Sequence, residues 1–255
     1  MSRFIESVAR EAGALLRERF ARQKTDGVRF KGEKDPVTEA DHASQDLIVR
    51  LIREKFPSDR IVAEEDGADS GSGDSVWYVD PLDGTTNFLH RFPFFSVSIA
   101  RVKKDEIVCG VVYNPVTDDC FTAEAGGGAW HNGTRVRVDD EAGPLRSIIA
   151  TGFACVRSNR VHDTVPFFDS MVREVQGVRR AGSAALDLSF TARGTFGAFY
   201  ELNLNPWDIA AGILLVKEAG GIVTDFTGGS GMFERKEVVA GGAAMHSYVL
   251  GRIRG

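Results

Sequence analysis

The sequence predicts an α/β protein of the α+β kind, with two α/β layers sharing one chain and mixed rather than strictly parallel sheets. Three observations predict it. Two helix-period apolar patterns open the chain. A block of short, alternating or continuous apolar runs follows, typical of strands. After a polar stretch, Asp139-Asp140-Glu141-Ala142-Gly143-Pro144, strands and helices alternate one by one.

In order, Phe4, Ile5, Val8, Ala12, Leu15, Leu16 and Phe20 recur at helical spacing and predict a helix over 3–21. Gln23 to Asp35 is polar and reads as a loop, or a loose hairpin around Gly27 and Gly32. Thr38 can cap a second helix whose face is Ala40, Ala43, Leu47, Ile48, Leu51 and Ile52, and Pro57 stops it. Strands are expected at Arg60–Ala63, Val76–Val79, Phe94–Val102, Glu106–Tyr113 and Asp119–Ala123. Serine and glycine in Gly67–Gly73 suggest a mobile surface turn, and Gly126-Gly127-Gly128 and Asn132-Gly133 further turns. The polar stretch at 139–144 marks a boundary between halves 1–140 and 141–255. Beyond it come a strand at Ile148–Thr151, a helix over Thr164–Glu174, and a helix capped by Ser183 that ends near Gly194. A strand over Phe196–Glu201 follows, then a helix from Asn205-Pro206 to Glu218, with Pro at its first position. Strands at Ile222–Asp225 and Glu237–Ala240 and a short helix close the chain.

Of 255 residues, 43% are hydrophobic and 26% charged, enough for a sizeable core without disulfides. The net charge of −5 and the lack of a Lys/Arg run argue against direct nucleic-acid binding. An acidic protein still takes an anionic substrate if a cation mediates. Cys109, Cys120 and Cys155 form no C-x-x-C pair and read as small apolar core residues. The N-terminus lacks an apolar signal core, and no stretch is long and apolar enough for a membrane span. A soluble protein of a reducing cytoplasm is expected.

Four acidic segments carry the chemistry: Thr38-Glu39-Ala40-Asp41, Ala63-Glu64-Glu65-Asp66, Asp80-Pro81-Leu82-Asp83-Gly84-Thr85-Thr86 and Pro206-Trp207-Asp208. The last three place an acid at a strand end or helix start, where desolvation is costly unless a cation is present. Hard carboxylates with a backbone carbonyl suit Mg²⁺. Trp77-Tyr78-Val79 delivers Asp80 at a strand end, and Asp83 lies three residues on, so both acids can face one point. Gly84 permits close backbone approach to a ligand, and Gly84, Thr85 and Thr86 can open a helix whose N–H groups meet phosphate. No Cys-x₅-Arg loop, Asp-x-Asp-x-Thr motif or nucleophile elbow around Ser183 offers a covalent route.

These segments resemble the signatures of the inositol monophosphatase family. Asp80 to Phe88 resembles its central motif, and Asn205-Pro206-Trp207-Asp208-Ile209-Ala210-Ala211-Gly212 with Glu218-Ala219-Gly220-Gly221 its C-terminal one. Asp35 to Asp41 and Ala63-Glu64-Glu65 match the remaining two, in the family's order over nearly the whole chain. Arg180 to Asp187 and Ala150-Thr151-Gly152-Phe153 are most similar to bacterial members of the SuhB type.

The resemblance implies a layered αβαβα sandwich and a Mg²⁺-dependent phosphomonoesterase with two to three ions per site. Most of the implied metal ligands lie in the first half. Glu64, Asp80 and the Leu82 carbonyl would hold one ion; Asp80, Asp83 and Asp208 a second; Glu64 would face a third through waters. Asp41 and Thr85 would orient the attacking water, and the N–H groups of Gly84 and Thr85 would bind phosphate. Asp83, Gly182, Ser183, Ala184, Glu201 and Asp208 would line the substrate pocket. Inhibition by Li⁺ and a homodimer are implied as well. Among the fold's activities, Thr86-Asn87-Phe88 favours an inositol-1-phosphate enzyme over fructose-1,6-bisphosphatase, histidinol-phosphate or nucleotide-3′-phosphate phosphatases. SuhB-type members also associate with the transcription machinery, so a partner there is a further expectation. Trp130 and Trp207 read as core or pocket wall, and Arg180 as steering substrate or bridging subunits.

Overall fold

The computed structural model describes residues 1–22, 29–32, 35–65, 67–68, 71–154 and 163–255. Helix α1 spans Ser2–Arg22, and β1 (Arg29–Gly32) pairs antiparallel with β2 (Asp35–Val37). The expected hairpin is therefore present on its Gly32 side; Gly27 lies outside the described residues. Helix α2 (Glu39–Lys55) starts at Thr38 through a capping box: Thr38 accepts from Ala40 N, and Asp41 accepts from Thr38 N.

Strands β3 (Arg60–Ala63), β4 (Gly67–Ala68), β5 (Ser75–Asp83), β6 (Ser96–Lys103), β7 (Glu106–Asn114), β8 (Asp119–Glu124), β9 (Gly128–His131) and β10 (Thr134–Val136) form one sheet, with helix α3 (Thr85–Leu89) between β5 and β6. The strand order is β10-β9-β8-β7-β6-β5-β3-β4, and only β3 and β5 run parallel. A second sheet, order β12-β11-β13-β15-β14, combines β11 (Ile148–Thr151), β12 (Gly177–Arg179), β13 (Ala198–Leu202), β14 (Ile222–Thr224) and β15 (Glu237–Gly241). Its helices are α4 (Val165–Met171), α5 (Ala184–Ala192), α6 (Pro206–Glu218), α7 (Met232–Arg235) and α8 (Ala243–Arg254).

Side-chain alternation sorts these elements into layers. Trp77, Val79, Val97 and Ile99 pack with Ile5, Ala12, Ile48 and Ile52 of α1 and α2. The opposite face of that sheet, with Ala100 and Val112, packs with Leu186, Leu188, Ile213 and Leu215 of α5 and α6. Those helices rest in turn on Ala150, Phe199, Val238 and Ala240 of the second sheet. Its far face, Ile149, Ala198, Tyr200 and Val239, is covered by Met171 of α4 and Met245 and Val249 of α8. The order is αβαβα, as the family resemblance implies. Helices α5 and α6 lie between two sheets, which is why they are apolar nearly all round.

Several boundaries differ from the sequence reading. The expected strand over 76–79 continues to Asp83, because β6 keeps pairing with it. Gly67–Ala68 pairs with β3 where a mobile turn is expected; Asp66, Asp69 and Ser70 lie outside the described residues, as do Cys155 and His162. The Asn132-Gly133 turn closes a hairpin of β9 and β10 whose strands are too short for a clear period. The turn at Gly126-Gly127-Gly128 is held by Glu218, whose carboxylate accepts from Gly126 N (2.7 Å) and Gly128 N (2.8 Å). Trp130, expected inside, is 38% exposed on β9. Cys109 and Cys120 are free and buried, and burial pushes their thiols up to about 11 and about 12.

Candidate active site

Alternation along a strand puts residues three apart on opposite faces, so Asp80 and Asp83 need a device to meet. The device is a bulge. Asp80 pairs with Ser98 and Asp83 with Ser96, leaving Pro81 and Leu82 opposite Val97 alone. The extra residue returns Asp83 to the face that carries Asp80. Leu82 turns the other way, into the core beneath α1 and α2. The acids' face looks toward the second half, where Ser98 Oγ donates to the Trp207 carbonyl (3.2 Å) and Ser96 Oγ lies 3.3 Å from Ser183 Oγ.

Asp80 is 2% exposed, and its Oδ1 accepts from Leu82 N (3.0 Å). Asp83 Oδ2 accepts from Ser183 Oγ (2.6 Å) and Ala185 N (2.8 Å), joining the signature turn to the first turn of α5. Ser183 is the N-cap of that helix. Asp208, at the third position of α6, accepts from Asn205 N (2.6 Å) in a capping box. Glu64, half-buried, follows β3 and donates its N–H to the Val79 carbonyl (3.1 Å).

Asp41 is fully buried; its Oδ2 accepts from Thr38 N and Oγ1, and its Oδ1 from Thr85 Oγ1 (3.0 Å). The Thr85 hydroxyl also lies 3.1 Å from the Leu82 carbonyl, so its one proton has two acceptors in reach. Gly84 holds φ +99°, and a Cβ there would stand 3.2 Å from the Gly182 carbonyl. Gly182 holds φ +94°, beside Asn87. Asn87 Nδ2 donates to the carbonyls of Phe94 (2.6 Å) and Ala181 (2.8 Å), locking these two turns together.

Glu201 lies on β13, 5% exposed, and accepts from Ala154 N (3.3 Å). A Cβ on Gly152 would fall 2.0 Å from its carboxylate, so a side chain there would displace the Glu201 carboxylate.

The electrostatics of this group are unfavourable on its own. Burial pushes the Asp80 and Asp208 carboxyls well above the usual range, and repulsion from Glu64 and Asp83 adds to it. Asp83 is pushed up to about 6, again by burial, opposed by Ser183, the α5 backbone and the Arg180 charge. Asp41 is raised by burial, against the Thr38 hydrogen bonds. Among the described residues no three His, Cys, Asp or Glu side chains converge into a formed metal cage. The donor chemistry nonetheless fits a hard divalent cation: carboxylates and a carbonyl, with no His or Cys among them, and a mutual repulsion that a cation would remove.

The family model described as the inositol monophosphatase family matches residues 1–254. The chain belongs to the inositol monophosphatase family. It is 44% identical over 239 residues to the Nus factor SuhB of Pseudomonas aeruginosa, covering 91% of this chain and 88% of that protein. It is 40% identical over 247 residues to the inositol-1-monophosphatase of Mesorhizobium japonicum, covering 96% and 93%. The crystal structure of the extragenic suppressor protein suhB from Bartonella henselae superposes with a TM-score of 0.91 at 38% identity, covering 98% of this chain and 97% of that one. As a member of the inositol monophosphatase family, the chain is a phosphomonoesterase with that family's fold.

Within the family fold, the acidic segments around Asp41, Glu64, Asp80, Asp83 and Asp208 come together, while Glu218, at the far end of α6, holds the turn at 126–128 instead. Asp187 is the member to which the sequence reading gave no role. It is 1% exposed on α5, its Oδ1 has no hydrogen-bond partner among the described residues, and its carboxyl is pushed well above the usual range by burial and by the charges of Glu201 and Asp83. Its signal was present: an acid inside the apolar run Ala184-Ala185-Leu186-Asp187-Leu188. Arg180 is exposed, and its charge opposes the upward push on the Asp83 carboxyl.

Proposed function

We propose that this phosphomonoesterase is Mg²⁺-dependent and acts on small phosphorylated polyols, inositol 1-phosphate first. The observation that carries the reading is the mutually repelling set of buried Asp80 and half-buried Asp83 and Asp208, brought to one region from two segments. In this reading Glu64, Asp80, the Leu82 carbonyl, Asp83 and Asp208 hold two Mg²⁺ ions, with Glu64 toward a third. Bound there, Mg²⁺ supplies Lewis-acid chemistry, offsetting phosphate charge and easing deprotonation of water.

The chain's own groups do the rest. Thr85 Oγ1 and Asp41 Oδ1 hold the attacking water and take its proton, a role that a carboxyl raised by burial suits. The N–H groups of Gly84 and Thr85 bind the phosphate oxygens, and the glycine conformation brings that backbone close. Asp83, Gly182, Ser183, Ala184 and Asp208 wall the pocket, and Glu201 accepts hydrogen bonds from ring hydroxyls.

A homodimer in the cytoplasm belongs to the same reading, and so does a transcription-linked protein partner. The partner is supported by the name of the Pseudomonas aeruginosa relative, Nus factor SuhB. No helix among the described residues is long and apolar enough to cross a membrane.

The test is a panel of phosphate esters with Mg²⁺ or excess chelator. The expected result is the highest kcat/KM for inositol 1-phosphate, Mg²⁺ dependence for every substrate, and inhibition by Li⁺. Full turnover in chelator would overturn the metal reading, and a stronger preference for a nucleotide 3′-phosphate would overturn the substrate reading.

A further inference from the structure

Helix α2 buries Asp41, Ser44, Gln45, Ile48 and Ile52 on one face. The spacing is that of a core stripe, but its N-terminal half is polar and its C-terminal half apolar. Buried hydroxyls and amides are costly unless hydrogen-bonded. A serine inside a helix commonly satisfies itself on the carbonyl four residues back. Ser44 instead donates to the Pro81 carbonyl (2.9 Å), 37 residues away in sequence. That carbonyl lies in the β5 bulge, where the register with β6 is interrupted. One residue on, Gln45 Oε1 accepts from Glu65 N (3.0 Å), 20 residues away.

These contacts sit on either side of the acids. Pro81 lies between Asp80 and Leu82. The Glu64 N–H is held by the Val79 carbonyl and the next N–H by Gln45, so the backbone that aims Glu64 is pinned at two successive points. Asp41, one turn earlier, meets Thr85.

We propose that Ser44 and Gln45 are positioning residues of the phosphatase site: with Asp41, one polar face of α2 sets the Asp80–Leu82 turn, the Glu64–Glu65 turn and Thr85 at fixed distances from one another. The proposal rests on the metal reading above. Its consequence is that Ser44 and Gln45 tune cation affinity without touching cation or substrate. Partners of this kind are typically worth ~10–100-fold in metal affinity.

The test uses the full-length protein with Mg²⁺ alone in titration calorimetry, alongside the Mg²⁺ dependence of turnover and Tm. Gln45→Met keeps the volume and removes the acceptor. Ser44→Ala removes the donor. Each should weaken Mg²⁺ binding by about tenfold or more, with kcat at saturating Mg²⁺ within about twofold of wild type. Ile48→Val, one turn further on the same face, should lower Tm and leave Mg²⁺ binding unchanged. If Gln45→Met fails to fold, Ser44→Ala carries the test. Wild-type affinity in both variants, with Tm lowered as in Ile48→Val, would overturn the proposal alone. A wild-type protein that binds no Mg²⁺ would overturn the metal reading and the proposal with it.

Discussion

At Thr85 one hydroxyl proton faces the carboxylate of Asp41 and the carbonyl of Leu82. Removing the hydroxyl with Thr85→Ala, or the basic oxygen with Asp41→Asn, should lower kcat by ~10²–10⁴-fold while Mg²⁺ affinity measured by calorimetry changes little. Equal losses in affinity would make Asp41 a ligand. The metal-facing acids carry a prediction of opposite sign for stability and activity. Asp80→Asn and Asp208→Asn remove a repelled charge, buried at Asp80 and half-buried at Asp208, so in chelator the variants should melt above wild type, yet lose nearly all turnover with Mg²⁺ present. The pH dependence follows. Asp83 titrates at about 6 in the folded protein, against ~3.9 for a free aspartate. Between these values the folded state holds a proton that the unfolded chain has released. The contribution is fully present below about pH 4 and is lost as pH rises through about 6, and further where Asp80 and Asp208 titrate. The Tm gap between Asp80→Asn and wild type in chelator should therefore widen with rising pH, and added Mg²⁺ should close it. A constant gap would mean that the carboxyls are not burdened by burial.

At the scale of elements, close approach decides what the helices tolerate. Gly212 of α6 packs where an added Cβ would meet Leu188 Cβ of α5 at 2.5 Å. Gly212→Ala should cost ~1–3 kcal/mol by overpacking, a fall in Tm of several degrees by differential scanning calorimetry, with KM unchanged in the folded fraction. Glu201 and Asp208 come from a strand and the next helix. Strand β13 places the first against Gly152, and α6 places the second against its own N-cap. Glu201→Gln should weaken kcat/KM for inositol 1-phosphate and hardly change it for p-nitrophenyl phosphate, which offers no ring hydroxyls. Equal losses would assign Glu201 to the scaffold. These elements were unequally legible. Helix α6 could be read from Asn205-Pro206 to Glu218 almost residue by residue, since cap, proline and terminal glycine are local signals. The bulge in β5 was not, because it exists only in the pairing with β6. Strands β9, β10 and β12 are three or four residues long; their identity comes from neighbours rather than from a period.

For the whole molecule, the decisive contact is that between the halves. Helices α5 and α6 belong to the second half in sequence, yet bury one face on the first sheet with Ala100, Val112 and Phe121. Residues 141–255 expressed alone should lack a cooperative melting transition, because that face would be left in water; a sharp transition would show an independent domain. The sequence by itself determined the family, the acidic segments, most helices and the mixed layered class, because caps, glycines, short motifs and apolar periods are carried by neighbouring residues. Only the tertiary structure decided that Asp80 and Asp83 share a face, that Ser44 and Gln45 reach turns 37 and 20 residues away, and that Asp187 sits near Glu201 and Asp83. Each of these is a relation between segments distant in sequence, set by sheet register and by the packing of a helix across it, and no local pattern encodes it.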